Sequence, residues 1–247
     1  MLSTLRSVFR CLLLVVVCLY HLIPLLIISA IKGHSLTRAL QVRKLFCQRG
    51  LRVLNTTLEV KGKPYEEGPA IFISNHRSYI DPMAALKDIK ALPVAKAEVA
   101  KWPLIGYAAK ATGIMYVKRE DKKSRSSTLV GMKKTLEMGY SVLIYPEGTT
   151  TKEPTTLPFK KGAFGLAVTQ GVPIIPMAIS YDNPDAIWDG PESFVGHVIQ
   201  LFKKKKNRIK LRYGEPIRSD DNKVLLAQTQ SWINNQILEM EAEWNNG

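Results

Sequence analysis

Residues 11–31, CLLLVVVCLYHLIPLLIISAI, contain no Asp, Glu, Lys or Arg. A run of about 20 apolar residues is long enough to cross a hydrocarbon core as a helix, so the segment belongs in lipid. No small-residue cleavage site closes it convincingly, and a removed signal peptide fits less well. Arg6 and Arg10 precede the run, while Lys32, Arg38, Arg43 and Lys44 follow it. The heavier positive side comes after, which puts the main body on the cytoplasmic face of a membrane. Pro24 interrupts the run, and together with the next helix it favours a shallow hairpin in one leaflet over a full span.

That next helix covers residues 35–54 with Ser35 as its cap. Leu36, Leu40, Cys47, Leu51 and Leu54 share one side at about 100° per residue, and Arg38, Arg49 and Arg52 lie opposite. A basic amphipathic helix suits a membrane interface, its arginines near headgroups. The same pattern also fits a helix packed on a domain with a solvated Arg face. The chain thus divides into a membrane-associated two-helix unit, 1–55, and a globular part, 56–247.

The 35 basic against 21 acidic residues give +14, which points to an anionic partner such as a membrane surface, a phosphorylated substrate or nucleic acid. The odd set Cys11, Cys18 and Cys47 makes no disulfide framework, and neither the cysteines nor His21, His34, His76 and His197 have metal-ligand spacing. No metal or cofactor is implied. From residue 56 onward, strands are predicted at 57–61, 70–74, 92–95, 113–118, 141–145, 173–180 and 208–213, with helices at 124–138, 162–170 and 221–244 among those between and after them. The alternation predicts an α/β domain with a mixed, largely parallel sheet flanked by helices, its site at the carboxyl ends of strands. Lys203-Lys204-Lys205-Lys206 reads as a solvated turn, or, with Arg208, Lys210 and Arg212, as a segment near headgroups.

The chemistry is concentrated after the apolar strand ends. Ala70-Ile71-Phe72-Ile73 leads into Asn75-His76-Arg77-Ser78-Tyr79-Ile80-Asp81-Pro82, where Asp81 reads as an N-cap and Pro82 as the first helical residue. If the turn folds Asp81 back onto His76, the carboxylate orients one imidazole nitrogen and makes the other a base. From these residues alone, a solvated loop histidine beside a helix cap is equally compatible. The strand at 113 ends on Lys118 and Arg119, which can hold an anion. Ser141–Ile144 leads into Tyr145-Pro146-Glu147-Gly148-Thr149-Thr150, a tight turn that can aim a carboxylate and free N–H groups inward. Lys160 and Lys161 precede a helix N-terminus, which again favours an anion. Val172-Pro173-Ile174-Ile175-Pro176 reads as structural, its prolines confining it to a sheet edge or strand start.

In this order and spacing the motifs resemble those of the glycerolipid acyltransferases, the family that includes bacterial lysophosphatidic acid acyltransferases. Asn-His-x-x-x-x-Asp stands at Asn75, His76 and Asp81, a Gly-to-Arg strand ends at Arg119, Pro-Glu-Gly-Thr stands at Pro146–Thr149, and Val-Pro-x-x-Pro at Val172, Pro173 and Pro176. The resemblance implies transfer of an acyl group from a thioester of coenzyme A or acyl carrier protein to a lysolipid hydroxyl. His76 would be the base, Asp81 its support and Lys96 the oxyanion partner. Asn75, Lys118, Arg119, Glu147, Gly148, Thr149, Thr150 and Lys160 would bind the acceptor. Many such enzymes carry Arg where this chain has Thr150, which removes a bidentate phosphate partner and leaves acceptor identity open between lysophosphatidic acid and other lysolipids. A hydrolase or transacylase with a covalent intermediate lacks a G-x-S-x-G elbow. A membrane-anchored anion or nucleic-acid binder accounts for the charge but lacks a recognition motif.

Overall fold

A computed structural model describes residues 1–102, 104–189 and 192–246. Seven strands form one sheet: β1 (Thr56–Lys61), β2 (Ile71–Ser74), β3 (Ala91–Lys96), β4 (Met115–Val117), β5 (Ser141–Ile144), β6 (Ile174–Tyr181) and β7 (Asn207–Tyr213). Their order is β1-β7-β6-β2-β5-β3-β4, and every pair is parallel except β6 with β7. The sheet is therefore mixed and largely parallel. Among the described residues eight α-helices accompany it: α1 (Leu2–Lys32), α2 (Leu36–Val53), α3 (Asp81–Leu86), α4 (Ile105–Ala111), α5 (Lys122–Glu137), α6 (Gly162–Gln170), α7 (Phe194–Lys203) and α8 (Asn222–Asn245).

Side chains alternate across a strand, so neighbouring residues serve opposite layers. Phe72 enters a core shared with α2, α3 and α7 through Leu51, Ala84 and Leu201. Ile71 and Ile73 enter the second core, against Met132 of α5, Phe164 of α6 and Ile233 of α8. Helices thus cover both faces, as a parallel sheet requires. One expectation fails here. Pro176 lies in an interior strand rather than at an edge or a strand start. Its carbonyl accepts from the Gly214 N–H at 2.8 Å, β7 pairs only from Met177 onward, and Ile174 bridges to Ile217 instead. The proline occupies the interruption in the ladder, where its missing donor leaves no partner stranded.

The two N-terminal helices form a hairpin turning at Gly33–Ser35, and the Ser35 hydroxyl accepts from the Arg38 N–H. α1 continues as one helix through Pro24, whose ring faces outward. The apolar face of α2 lies on the protein and not in lipid: Cys47, Leu51 and Leu54 join the core with Ala84, Ala85 and Leu86 of α3. Gly50 leaves room for the tip of Met83, since a Cβ there would sit 2.4 Å from its Cε. Arg43, on the same helix, is buried and donates to the Thr112 carbonyl at 3.0 Å and to that of Ala91. A buried cation of this kind is held by the carbonyls it satisfies, here joining α2 to β3 and the end of α4. α1 rests on α2, α7 and α4.

Candidate active site

β2, β5, β3, β4 and β6 point the same way, so the loops after them open on one edge of the sheet. The loop after β2 begins with Asn75, whose side-chain amide accepts from the Ile179 N–H at 2.8 Å and donates to the Ile179 carbonyl at 2.9 Å. This exchange extends the β2–β6 pairing by one residue, using a side chain where the backbone turns away. Asn75, expected to bind the acceptor, is buried, with both amide atoms paired to Ile179.

The turn 77–80 then brings Asp81 back. Its Oδ2 lies 2.7 Å from His76 Nδ1 and accepts the Arg77 and Ser78 N–H groups at 2.6 and 2.8 Å. The Tyr181 hydroxyl, at the end of β6, donates to Oδ1 at 2.5 Å. Asp81 is the first residue of α3 and not its cap, because its carboxylate is used by the preceding loop. It is 1% exposed, so each of these bonds replaces a lost water contact. Burial and the nearby Asp81 charge push the Tyr181 phenol well up, which keeps it a donor. With Nδ1–H directed at Asp81, the imidazole Nε2 is the basic nitrogen, and it has no hydrogen-bond partner among the described residues. Tyr145 stacks on the ring at 4.2 Å and 22°. Free rotation of the imidazole is thereby removed from both its edge and its face.

Glu147 accepts the His76 N–H at 2.7 Å and the Leu157 N–H at 2.8 Å. Burial raises its carboxyl above the usual range, opposed by these two bonds and by Arg77. Glu147 therefore holds the histidine's backbone to the loop at Leu157. The Thr151 N–H reaches the His76 carbonyl at 3.3 Å, while Arg77 donates to the Thr151 carbonyl at 2.6 Å. The first and third motifs are thus fastened at several points. Arg77, Tyr181 and Tyr145 were absent from the sequence-based set. Arg77 and Tyr145 stand inside or beside quoted motifs, but Tyr181 is recognised only when β6 lies beside β2.

The remaining candidates surround this centre more loosely. Gly148 adopts φ 77°, and a Cβ there would lie 2.4 Å from Lys160 Nζ. The glycine lets this ammonium rest on the turn one strand from His76. Thr149 is exposed and Thr150 half-buried on the same turn. Lys96 ends β3, 47% exposed and 3.8 Å from Glu98, without a hydrogen bond to the His76 loop among the described residues. Lys118 is exposed and Arg119 half-buried after β4, three strands from β2, or about 14 Å by strand spacing. Burial lowers the Arg119 guanidinium's proton affinity, partly offset by Glu120 and Glu98. Lys210 and Arg212, by contrast, are buried and paired with Glu239 and Glu243 of α8.

A buried Asp–His pair with a free Nε2, at the carboxyl edge of a sheet, can take a proton from a bound hydroxyl. Comparison with known proteins points the same way. The family model "Acyltransferase" matches residues 55–180, which hold all four motifs. A chloroplastic 1-acyl-sn-glycerol-3-phosphate acyltransferase of Brassica napus is 33% identical over 117 residues, 47% of this chain and 34% of that one. A lyso-ornithine lipid O-acyltransferase of Pseudomonas aeruginosa is 32% identical over 177 residues, 67% of this chain and 66% of that one. The chain thus spans about a third to two thirds of the length of these curated relatives. The crystal structure of the lysophosphatidic acid acyltransferase PlsC from Thermotoga maritima superposes with a TM-score of 0.73, covering 98% of this chain and 95% of that one at 20% identity. That likeness establishes the shared fold, and the family match over the motif-bearing half establishes that this chain belongs to the acyltransferase family.

Proposed function

We propose that the protein moves a fatty acyl group from acyl-CoA or acyl carrier protein to the sn-2 hydroxyl of lysophosphatidic acid, giving phosphatidic acid at a membrane. The observation that carries this reading is the His76–Asp81 pair, fixed at 2.7 Å with Nε2 free. Nε2 takes the hydroxyl proton as the oxygen attacks the thioester carbonyl. The C–S bond then breaks, and the imidazolium returns its proton to the departing thiolate. Asp81 stabilises the imidazolium between these steps. Lys96, from the next parallel strand but one, is the cation proposed for the developing oxyanion. Lys160 on the Gly148 turn and Arg119 beyond it supply charge for the acceptor phosphate. No metal or further cofactor enters the scheme.

Residues 1–55 are the proposed membrane unit. The outward face of α1 presents Leu2, Leu5, Val8, Phe9, Leu12 and Val16, and its inward face lies on the domain, which favours insertion into one leaflet; the basic residues after the apolar run favour the cytoplasmic side. A second acceptor reading has its own support. Thr150 stands where a phosphate-binding Arg is common, and the Pseudomonas relative that matches most of this chain is named for a lyso-ornithine lipid.

The test offers the full chain one acyl-CoA with lysophosphatidic acid, lysophosphatidylcholine, lysophosphatidylethanolamine and lyso-ornithine lipid, with His76→Ala as control. Acylation of lysophosphatidic acid, reduced on the order of 10²-fold or more in His76→Ala, is the expected result. Preference for another acceptor would transfer the assignment to the second reading. Substantial activity in His76→Ala would remove the base from the mechanism.

A further inference from the structure

β7 runs antiparallel to β6 and so begins at the edge where β6, β2 and β5 end. The turn that leads into it, Lys203 to Lys206, therefore opens on the same edge as His76. It lies two strands away, about 10 Å by strand spacing, on the opposite flank from Lys118 and Arg119. This turn is held by other cations. Arg6 donates to the Lys203 carbonyl at 2.6 Å. Arg10, 6% exposed, donates to those of Phe202, Lys204 and Lys205 at 3.0, 2.5 and 3.1 Å. Asn55 also donates to the Lys205 carbonyl, at 2.7 Å. With its carbonyls engaged from the protein side, the turn leaves Lys205 and Lys206 in solvent.

Bringing Arg6, Arg10 and four lysines together raises the energy of the folded state unless anions are near. The described counter-charge is sparse. Asp185 pairs with Lys204 at 2.5 Å, Glu59 shares a shallow groove with Lys206, Arg208 and Trp244, and Asp182 accepts the Arg208 N–H at 3.3 Å. Among the described residues the Lys203 ammonium donates its one hydrogen bond to the Gln200 side-chain carbonyl and has no ion pair. The cluster adjoins apolar surface: Leu2, Leu5, Val8 and Phe9 are exposed on the same end of α1, and Val195 and Ile199 on α7 beside it. A fixed cation group bordering an apolar stripe matches a leaflet in which acyl chains lie beneath phosphates. A free phosphate would leave the stripe uncovered. A nucleic acid would put its own charges against it.

We infer that the 203–206 turn, fastened by Arg6 and Arg10, is a docking patch for anionic phospholipid headgroups that orients the His76 edge toward the leaflet. The inference rests on the membrane reading of residues 1–55. Its test compares binding of the full chain to phosphatidylcholine vesicles with binding to vesicles in which roughly a third of the lipid is phosphatidylglycerol, at low and high salt. A lysine near an anionic surface contributes about fivefold in affinity, so the triple variant Lys203→Gln, Lys205→Gln, Lys206→Gln should lose on the order of 10²-fold on anionic vesicles. Its binding to neutral vesicles and its activity in detergent micelles should be unchanged. Should that variant fold poorly, Lys205→Gln with Lys206→Gln, at exposed positions, should lose on the order of tenfold. A retained anionic preference in a folded variant overturns the inference. So does equal binding of the unaltered chain to both vesicles, or tighter binding to duplex DNA than to anionic vesicles at the same salt. Failure to bind either vesicle instead overturns the membrane reading itself.

Discussion

Asp81 shows how much of this site is made by one carboxylate. One oxygen collects His76 Nδ1 and the two N–H groups of the loop that carries the histidine, while the other takes the Tyr181 hydroxyl. The tyrosine draws negative charge away from the oxygen that faces the imidazole. In Tyr181→Phe that charge returns to Oδ2 and favours the protonated imidazole, so the pH–activity profile should move to higher pH because the base must be neutral to act. The loss should appear in kcat with little change in acceptor KM. A variant that is only less stable, with its pH profile unmoved, would make Tyr181 structural. At this scale the sequence disclosed the pairing of His76 with Asp81 but not the backbone bonds that Asn75 and Glu147 make. Both carry polar groups in conspicuous motifs, and whether such a group faces a ligand or a backbone N–H depends on which strands are neighbours. Asn75 finds Ile179 and Glu147 finds Leu157 only across the assembled sheet.

The elements were legible where their period was long enough to see. β6 was expected over 173–180 and runs Ile174–Tyr181, while α6 was expected and found over 162–170. α4 and α7, of 7 and 10 residues, were not recognised. At under two turns and under three turns they offer few positions for an apolar stripe, neither opens on a motif that drew notice in the sequence, and such helices persist through packing. α8 is held differently, by an ionic clamp. Glu243 receives Lys61 of β1 at 2.8 Å and Lys210 of β7 at 2.9 Å, and it also pairs with Arg212. Bonds from Lys61, Lys210 and Arg212 pull its carboxyl down to about 2 from an ordinary 4.5. A depressed carboxylate stabilises the fold above its unfolded value, and that contribution is lost as pH falls from about 4.5 toward about 2. Acid titration of unfolding should therefore be shallower in Glu243→Gln over that window and parallel to the unaltered chain above it. Parallel curves throughout would mean that the clamp does not couple to folding.

For the molecule as a whole, the uncharged run led to the proposed membrane unit, and on that proposal the structure constrains how the run would insert. α1 has 31 residues, about 46 Å at helical rise, more than the ~30 Å of a hydrocarbon core. Yet both of its ends are tied to one globular body. Near the start, the Ser7 hydroxyl donates to the Ile199 carbonyl at 3.0 Å and Arg10 grips the end of α7. Just past the other end, His34 Nε2 lies 3.4 Å from the Ala111 carbonyl of α4. Cys18, Leu22 and Leu25 are buried between. Crossing the bilayer would carry one end across the hydrocarbon, breaking contacts at that end and exposing the arginine or the histidine. A helix lying along the leaflet keeps both, with Pro24 on its outer side. With Cys11, Cys18 and Cys47 replaced by Ala, a membrane-impermeant maleimide added to sealed vesicles bearing the catalytic domain outside should label Leu2→Cys and Lys32→Cys alike. Labelling of one position only after the vesicles are opened would mean that α1 spans, and that the contacts at one of its ends are released when the protein enters the membrane.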